Sequence, residues 1–233
     1  MVKQYKAVVF DFDMTIADSS QVIVSLLNDT AEHFGYPRKN YEEVLSCVGN
    51  THEIMLSHVT GVKDQEKLLI MRDYYRAISR EEMPKRTNFF PGVETCLKTL
   101  KRRGIKVGLL SLKLRDLLFA SLDKYDLSRY FDQVLGCEDV AAHKPDPSGM
   151  FKMMELLGVT AGDILYVGDS LVDEGTAKNA GVDFCAMLLG GTRKDQFDRE
   201  FVTEFCISLD DLTSLFADSK ALERNKRKRE AFL

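Results

Sequence analysis

The segment Lys6-Ala-Val-Val-Phe-Asp-Phe-Asp-Met-Thr15 joins a short apolar run directly to two acidic residues. The run Lys6–Phe10 is rich in β-branched and aromatic residues, which is typical of a buried strand in a parallel sheet. Asp11 and Asp13 follow it at once. Because ligands gather at the carboxyl ends of the strands in such sheets, we expect both carboxylates at a functional edge of the protein.

Four further short apolar runs end in the same abrupt way, and helical patterns separate them. The runs are Ile105–Leu110, Gln133–Gly136, Asp163–Val167 and Asp183–Leu189, and the helical patterns cover Val93–Arg102, Leu114–Leu122, Ser148–Leu157 and Leu171–Ala180. This alternation of strand and helix over residues 92–190 predicts an α/β fold with a doubly wound parallel sheet.

Residues 17–88 interrupt the alternation with helical patterns and nothing strand-like between them. We predict that they form a helical cap domain, inserted into a core domain made of residues 1–16 and 89–219. The hinges are expected near residues 16–19 and 87–91. Residues 220–233 form a basic tail, which is typical of a solvated chain end, with a docking role as the alternative.

Composition and charge exclude several classes of protein. The chain has 233 residues, of which 45% are hydrophobic, and a formal net charge of -4. This balance argues against a nucleic-acid partner, which usually meets a strongly basic face. No apolar run approaches the roughly 18 residues of a membrane span, and the N-terminal run is too short for a signal peptide. Five scattered cysteines indicate reduced thiols. We therefore expect a cytoplasmic protein without a membrane partner.

The residues that follow the predicted strands favour a metal site. Each aspartate alone is compatible with a helix cap or a turn, Ser111 with a cap, and Lys144 with a surface position. As a set, four carboxylates at one edge repel one another and require a cation. Oxygen ligands without His or Cys select a hard ion, and Mg²⁺ is the usual choice beside phosphate. The set is Asp11, Asp13, Asp169 and Asp173, with Ser111 and Lys144 beside it.

Four segments resemble the four motifs of the haloacid dehalogenase superfamily in order and spacing. They are Asp11-Phe-Asp-Met-Thr15, Ser111, Lys144-Pro145 and Gly168-Asp-Ser-x-x-Asp173. The resemblance extends over nearly the whole chain. The insertion after the first strand and the segment Phe90-Pro-Gly-Val93 resemble the subgroup with a helical cap, which includes phosphoglycolate phosphatases and β-phosphoglucomutases. It implies a Rossmann-like core and a phosphatase that acts on a small phosphorylated metabolite.

The resemblance also implies the catalytic roles, and chemistry supports them independently. Asp11 is expected to attack phosphorus and form an aspartyl-phosphate, which divides one difficult displacement into two easier ones. Asp13 is expected to protonate the leaving alkoxide and then activate water. Ser111 and Lys144 are expected to bind the phosphoryl oxygens, since this transfer depends on positioning and on neutralising charge.

The same resemblance implies a Mg²⁺ site made of Asp169, Asp11 and the backbone carbonyl of Asp13. For Asp173 three roles stay open, namely a direct metal ligand, a ligand through water, or a residue that holds Lys144. Thr15 lies in the same loop as Asp11 and Asp13, and it is expected to steady that loop through a hydroxyl hydrogen bond and to take part in binding the substrate.

The cap segment Cys47-Val-Gly-Asn-Thr-His52 resembles the substrate-specificity loop of the subgroup. Gly49, Asn50, Thr51 and His52 are therefore expected to contact the organic part of the substrate. The alternative is a plain helix connection in which Thr51 only caps the next helix.

Two positions depart from the pattern of the superfamily. Met14 stands where many relatives have Gly, and it either narrows the cleft or occupies a tolerant position. Leu112 stands next to the expected substrate position, where relatives often have Asn. The contact that the Asn side-chain amide would form is therefore in doubt in this chain.

Several reactions and protein classes can be compared with this sequence. The first cap helix has Gln21-Val-Ile-Val24 where β-phosphoglucomutases have a His, which favours hydrolysis over mutase activity. Phosphoglycolate and pyrophosphate carry a second negative charge, and the cap loop has no Arg or Lys to bind it. They are therefore kept as alternatives, which require Arg38 or Lys39 to reach the site. A phospho-receiver domain has no insertion of this kind, and a dinucleotide-binding domain requires G-x-G-x-x-G. A monomer and a dimer are both compatible with the sequence.

Overall fold

Parallel strands form the central sheet of the computed structural model, which describes residues 3–217. The six strands are β1 (Ala7–Phe10), β4 (Lys106–Leu110), β5 (Gln133–Leu135), β6 (Ile164–Gly168), β7 (Asp183–Met187) and β8 (Glu204–Cys206), in the order β5-β4-β1-β6-β7-β8. The predicted parallel α/β sheet is confirmed. Its last strand, β8, is absent from the sequence-based prediction because Glu204-Phe-Cys206 does not form an apolar run.

Helices cover both faces of the sheet. On one face lie α5 (Val93–Arg102), α6 (Arg115–Asp123) and α9 (Leu209–Leu215), and on the other lie α7 (Ser148–Leu157) and α8 (Leu171–Ala180). Side chains of β1 alternate between the two apolar layers, since Val8 and Phe10 pack in one and Ala7 and Val9 in the other. The doubly wound arrangement follows from this burial on both faces.

Four helices between β1 and β4 build a separate apolar cluster. They are α1 (Ser20–His33), α2 (Tyr41–Leu45), α3 (His52–Thr60) and α4 (Gln65–Arg86). A two-stranded antiparallel ribbon of β2 (Ala17–Asp18) and β3 (Asn88–Phe89) ties the two ends of this segment together. Strands of two residues leave no hydrophobic pattern in the sequence, so β2 and β3 could not be predicted. We propose that residues 17–88 are a cap domain with this ribbon at its base.

The proposed cap contacts the core at α6 and at the loop that follows β6. Arg80 Nη1 lies 2.7 Å from Asp116 Oδ2, and Lys124 Nζ donates to the backbone oxygen of Lys85 at 2.9 Å. At the cap loop, a Cβ atom on Gly49 would lie 3.2 Å from Ser170 Cβ. These contacts enclose a cavity between the cap and the sheet edge.

Two further predictions concern membrane-spanning helices and the basic tail. In residues 3–217, no helix combines the length and the apolar character that a bilayer crossing requires. The basic tail predicted for residues 220–233 lies outside the described residues.

Candidate active site

One cavity at the strand ends brings together the predicted site residues, except Thr15 and Thr51. It is lined by Asp11, Asp13, Ser111, Lys144, Asp169 and Asp173 from the core and by Gly49, Asn50 and His52 from the cap, with Leu112 beside them. The parallel sheet explains this convergence, since β1, β4 and β6 end at the same edge. Their roles in catalysis and binding stay predictions.

Asp11 lies directly beyond β1, and its backbone N–H donates to the carbonyl oxygen of Val167 at 2.8 Å. This bond continues the ladder between β1 and β6 and fixes the carboxylate at the sheet edge. Lys144 Nζ donates to Asp11 Oδ1 at 2.7 Å, and both side chains are buried. Charge-assisted hydrogen bonds of this kind are short and strong, so the lysine orients the carboxylate.

Asp173 holds Lys144 from the other side. Its Oδ1 accepts from Lys144 Nζ at 2.6 Å and from the Tyr166 hydroxyl at 2.7 Å, and its Oδ2 accepts from the Ser170 hydroxyl at 2.6 Å. Burial alone would raise the pKa of Asp173, but Lys144 and these hydrogen bonds outweigh it and hold the pKa below the ordinary value. Burial likewise opposes the charge of Lys144, but Asp11 and Asp173 raise its pKa well above the ordinary value.

Asp169 is a buried carboxylate with little support from protein donors. Its side-chain hydrogen bond comes from the Thr15 hydroxyl at 3.4 Å. Burial, and then the charges of Asp173 and Asp11, raise its pKa well above the ordinary value. Burial also raises the pKa of Asp11 to about 7, with Lys144 acting against it and Asp173 and Asp13 adding to it. The carboxylates of this cluster therefore outnumber the single positive charge of Lys144 that faces them.

A divalent cation fits this environment. Oxygen atoms of Asp11, Asp169 and Asp173 lie within 4.8 Å of one another. All three groups are hard oxygen donors, which suits Mg²⁺. The raised pKa values of Asp11 and Asp169 provide the physical test, because a cation between them would offset the repulsion that favours their protonation. Asp173 lies in this cluster and holds Lys144, as the third of the roles left open requires, and its two metal-ligand roles stay predictions.

Asp13 lies two residues beyond Asp11, and its position depends on Ser19 and Lys113. The Ser19 hydroxyl donates to Asp13 Oδ1, and Lys113 Nζ lies 3.1 Å from the same oxygen. Ser111 Oγ accepts from the backbone N–H of Lys113 at 3.2 Å, so its own proton is available to a ligand. Lys113 and Ser19 are not among the site residues predicted from the sequence. The only signal for Lys113 was its place two residues after Ser111.

Thr15 and Met14 lie behind the cavity wall. Thr15 is fully buried, and the substrate contact expected of it does not fit this position, because its hydroxyl group points to Asp169. Met14 has a φ of 60° and a buried side chain that is not part of the wall. It therefore does not narrow the cleft, although the left-handed backbone conformation explains why Gly suits this position.

The cap loop reaches the cavity through Gly49, Asn50 and His52. Gly49 has a φ of 98° and lies against Ser170, so a side chain there would be strained and crowded. Thr51 lines a smaller neighbouring cavity. It is also the N-cap residue of α3, as the alternative expected, but its side chain forms no capping hydrogen bond.

The cation near the cap loop is neither Arg38 nor Lys39, the two residues that the sequence suggested. Arg38 pairs with Asp29 at 2.7 Å, and Lys39 with Glu43 at 2.6 Å, and neither lines the cavity. Arg76 of α4 lines it instead and donates from Nε to His52 Nδ1 at 3.4 Å. We call His52, Arg76 and Lys113 the cap-side wall, and Asp11, Asp13, Lys144, Asp169 and Asp173 the acidic floor.

The position of Arg76 could not be read from the sequence. It lies among many charged residues in a 22-residue helix, where a solvated face is the ordinary interpretation. Its role depends on which face of α4 turns toward the core, and that is decided by tertiary packing. In the position expected for a mutase His, α1 presents apolar Ile23 to the cavity.

Comparison with known proteins identifies the family. The model of the family described as haloacid dehalogenase-like hydrolase matches residues 8–187. The chain belongs to this haloacid dehalogenase-like hydrolase family. The family match includes Asp11, Asp13, Ser111, Lys144 and both aspartates of the last motif, so it extends over every residue of the acidic floor.

Relatives of this family hydrolase carry phosphatase names. A protein of Caldanaerobacter subterraneus subsp. tengcongensis named as a pyrophosphatase, PpaX, is 35% identical over 76% of this chain and 78% of its own length. Phosphoglycolate phosphatase 1 of Pseudomonas aeruginosa is 29% identical over 79% of this chain and 70% of its own. A haloacid dehalogenase-like hydrolase of Bacteroides fragilis has a similar crystal structure, with a TM-score of 0.86, 34% identity and coverage of 90% of this chain and 100% of that one.

Proposed function

We propose that the protein is a Mg²⁺-dependent phosphatase that hydrolyses a small phosphate monoester through an aspartyl-phosphate on Asp11. One observation carries the proposal. The carboxylate of Asp11 is buried at the end of β1, oriented by Lys144 at 2.7 Å, and grouped with Asp169 and Asp173 within 4.8 Å. A nucleophile, a cation for the phosphoryl oxygens and the ligands of a hard metal ion thus occur at one point.

In the first step an oxygen of Asp11 forms a bond to phosphorus while the bond from phosphorus to the leaving oxygen breaks. Asp13 gives its proton to that oxygen. In the second step water attacks phosphorus, Asp13 takes a proton from the water, and the bond to Asp11 breaks, which regenerates the carboxylate and releases phosphate. In both steps Ser111 donates a hydrogen bond to a phosphoryl oxygen, and Lys144 offsets the negative charge of these oxygens.

Asp11, Asp169 and Asp173 would hold Mg²⁺, together with the backbone carbonyl of Asp13. When bound, the ion supplies positive charge that offsets carboxylate repulsion and stabilises the phosphoryl oxygens. The cap contributes by closing the cavity, which excludes water that would otherwise weaken these electrostatic interactions. The cytoplasm is the compartment that we propose, since all five cysteines are unpaired and buried.

The test is phosphate release from a panel of phosphorylated sugars, organic acids, nucleotides, pyrophosphate and p-nitrophenyl phosphate. We expect many turnovers per chain with Mg²⁺, loss of activity on addition of a chelator and recovery when Mg²⁺ is restored. A single turnover per chain, as a phospho-receiver would give, or undiminished release in excess chelator would contradict the proposal.

A further inference from the structure

Two of the arginines of helix α4, Arg72 and Arg76, lie one turn apart and have different surroundings. Arg72 is neutralised, since it pairs with Glu53 at 3.0 Å and with Asp73 at 2.9 Å. Arg76 lines the cavity and pairs with no carboxylate among residues 3–217. A guanidinium group is always charged at neutral pH and forms its best hydrogen bonds with carboxylate or phosphate. The charge of Arg76 is therefore directed to the cavity without a protein counter-ion.

Lys113 adds a second positive charge on the same side. Its side chain is buried, with Nζ 3.1 Å from Asp13 Oδ1 and 3.7 Å from Met83 Sδ of α4. It lies between Asp13, which faces the leaving oxygen in the proposed reaction, and the cap. A group attached to that oxygen would thus lie in the cavity that Lys113 and Arg76 both line.

His52 completes this side as a neutral donor. Burial, and then the charge of Arg76, lower its pKa to about 4, so the ring is uncharged at neutral pH. Nδ1 accepts from Arg76, which leaves the proton on Nε2. Of the two cations in this wall, Lys113 forms an ion pair with Asp13, and Arg76 forms none with the described residues.

The size of the cavity limits what can bind there. Its volume is about 60 Å³. Pockets for drug-sized ligands span about 300–1,000 Å³. A cavity of this size favours a phosphoryl group with only a few additional heavy atoms.

We propose that the leaving group of the substrate is small and anionic, and that Arg76 binds its negative charge with Lys113 and His52. The substrate is then anionic at both ends, with a phosphoryl group over the acidic floor and a carboxylate or second phosphate against the cap-side wall. This inference rests on the proposed function and extends it by naming the class of leaving group. Arg76 is the specificity-determining residue.

The experiment compares three substrates of similar size in the presence of Mg²⁺. They are 2-phosphoglycolate, pyrophosphate, and 2-hydroxyethyl phosphate, whose leaving group is uncharged. We expect Arg76→Met to lower the ratio of kcat/KM for the better anionic substrate to that for the neutral ester by about 10–100-fold, the value of a hydrogen-bonded charge pair. Arg76→Lys should recover part of the ratio. Arg72→Met, the matched control on the same helix, should leave the ratio unchanged.

The ratio does not depend on how much of a variant folds, so it remains informative if Arg76→Met lowers stability. The two anionic substrates differ in the charged group of the leaving group, which is a carboxylate in 2-phosphoglycolate and a phosphate in pyrophosphate. The better of the two therefore identifies the group that the wall binds. Good turnover of all three substrates with a ratio that Arg76→Met leaves unchanged would overturn the inference alone. Absence of turnover for every phosphate ester, p-nitrophenyl phosphate included, would instead overturn the proposed function and the inference with it.

Discussion

The acidic floor and the cap-side wall face each other across one small cavity, and they carry opposite charge. The floor has four carboxylates and one lysine, and Asp11 and Asp169 have raised pKa values there. The wall has the cations Arg76 and Lys113, and Lys113 meets the floor at Asp13, 3.1 Å away. The floor is thus suited to a cation and the wall to an anion. This difference suggests that chemistry is assigned to the core and selection of the leaving group to the cap.

The largest expected effect comes from breaking the floor at its centre. Asp11→Asn removes the nucleophile but keeps the shape of the side chain, so we expect kcat to fall by about 10⁴-fold or more for every substrate. Steady-state phosphate release measures this loss. Asp29→Asn, an exposed carboxylate of the cap that pairs with Arg38, is the matched control and should keep full activity. Activity of Asp11→Asn near the original value would refute its role as nucleophile.

The next largest effect is expected at Asp13, where the acidic floor meets the cap-side wall. Asp13→Ala removes the proposed proton donor, so turnover of alkyl phosphates should fall by about 10²–10⁴-fold. Aryl phosphates should lose less, because their leaving groups need little protonation. The measurement compares kcat for 2-hydroxyethyl phosphate and p-nitrophenyl phosphate. Equal losses on both substrates would speak against an acid role for Asp13.

A third prediction separates two neighbouring carboxylates of the floor. Asp173 faces Lys144 at 2.6 Å, whereas Asp169 has one long hydrogen bond from Thr15. In the metal-free protein, Asp173→Asn should therefore lower the free energy of unfolding by about 2 kcal/mol, since a buried ion pair is broken. Asp169→Asn should raise it by roughly 1 kcal/mol, since a buried unpaired charge is removed. Urea unfolding in excess chelator measures both. Shifts of the same sign would show that the two carboxylates are not distinguished in this way.

The smallest effect is a pH dependence of stability in the metal-free protein. The pKa of Asp11 rises from 3.8 to about 7 on folding, and that of Asp169 also rises. Between these values the folded state retains protons that the unfolded chain has released, so the free energy of unfolding falls as pH increases. We expect a loss of about 2 kcal/mol, or roughly 4–8 °C in Tm.

Thermal unfolding between pH 5 and pH 8 checks this prediction. Saturating Mg²⁺ should reverse most of the loss, because the ion binds the deprotonated carboxylates and requires none of their protons. Asp169→Asn should show a flatter dependence than the unmodified chain. Stability that rises with pH in excess chelator would be inconsistent with the raised pKa values.

The acidic floor could be predicted from the sequence because its residues follow directly on buried strands. Asp11 and Asp169 each end an apolar run, and a parallel sheet brings such ends together whatever the loops do. Lys144 has no such neighbour, and the superfamily resemblance supplied it. The cap-side wall could not be predicted, because Arg76 belongs to a helix whose orientation over the core is set by packing far along the chain.

The missed strands have a related cause. β2 and β3 contain two residues each and pair across about 70 residues of sequence, as Ala17 does with Phe89. No local pattern records a contact of that range. The short strand β8 is defined by its pairing with β7 and not by its own composition. Local pattern therefore sufficed for the chemistry of the core and failed where the cap meets it.

The most direct test of the account is chemical trapping of the intermediate on Asp11. Protein quenched during turnover of its best substrate is treated with borohydride, which reduces an acyl phosphate to an alcohol, and the peptide that contains residues 11–13 is analysed by mass spectrometry. The account predicts conversion of Asp11 to homoserine, dependent on substrate and Mg²⁺ and absent in Asp11→Asn. Reduction at another residue, or none at Asp11 during rapid turnover, would contradict it.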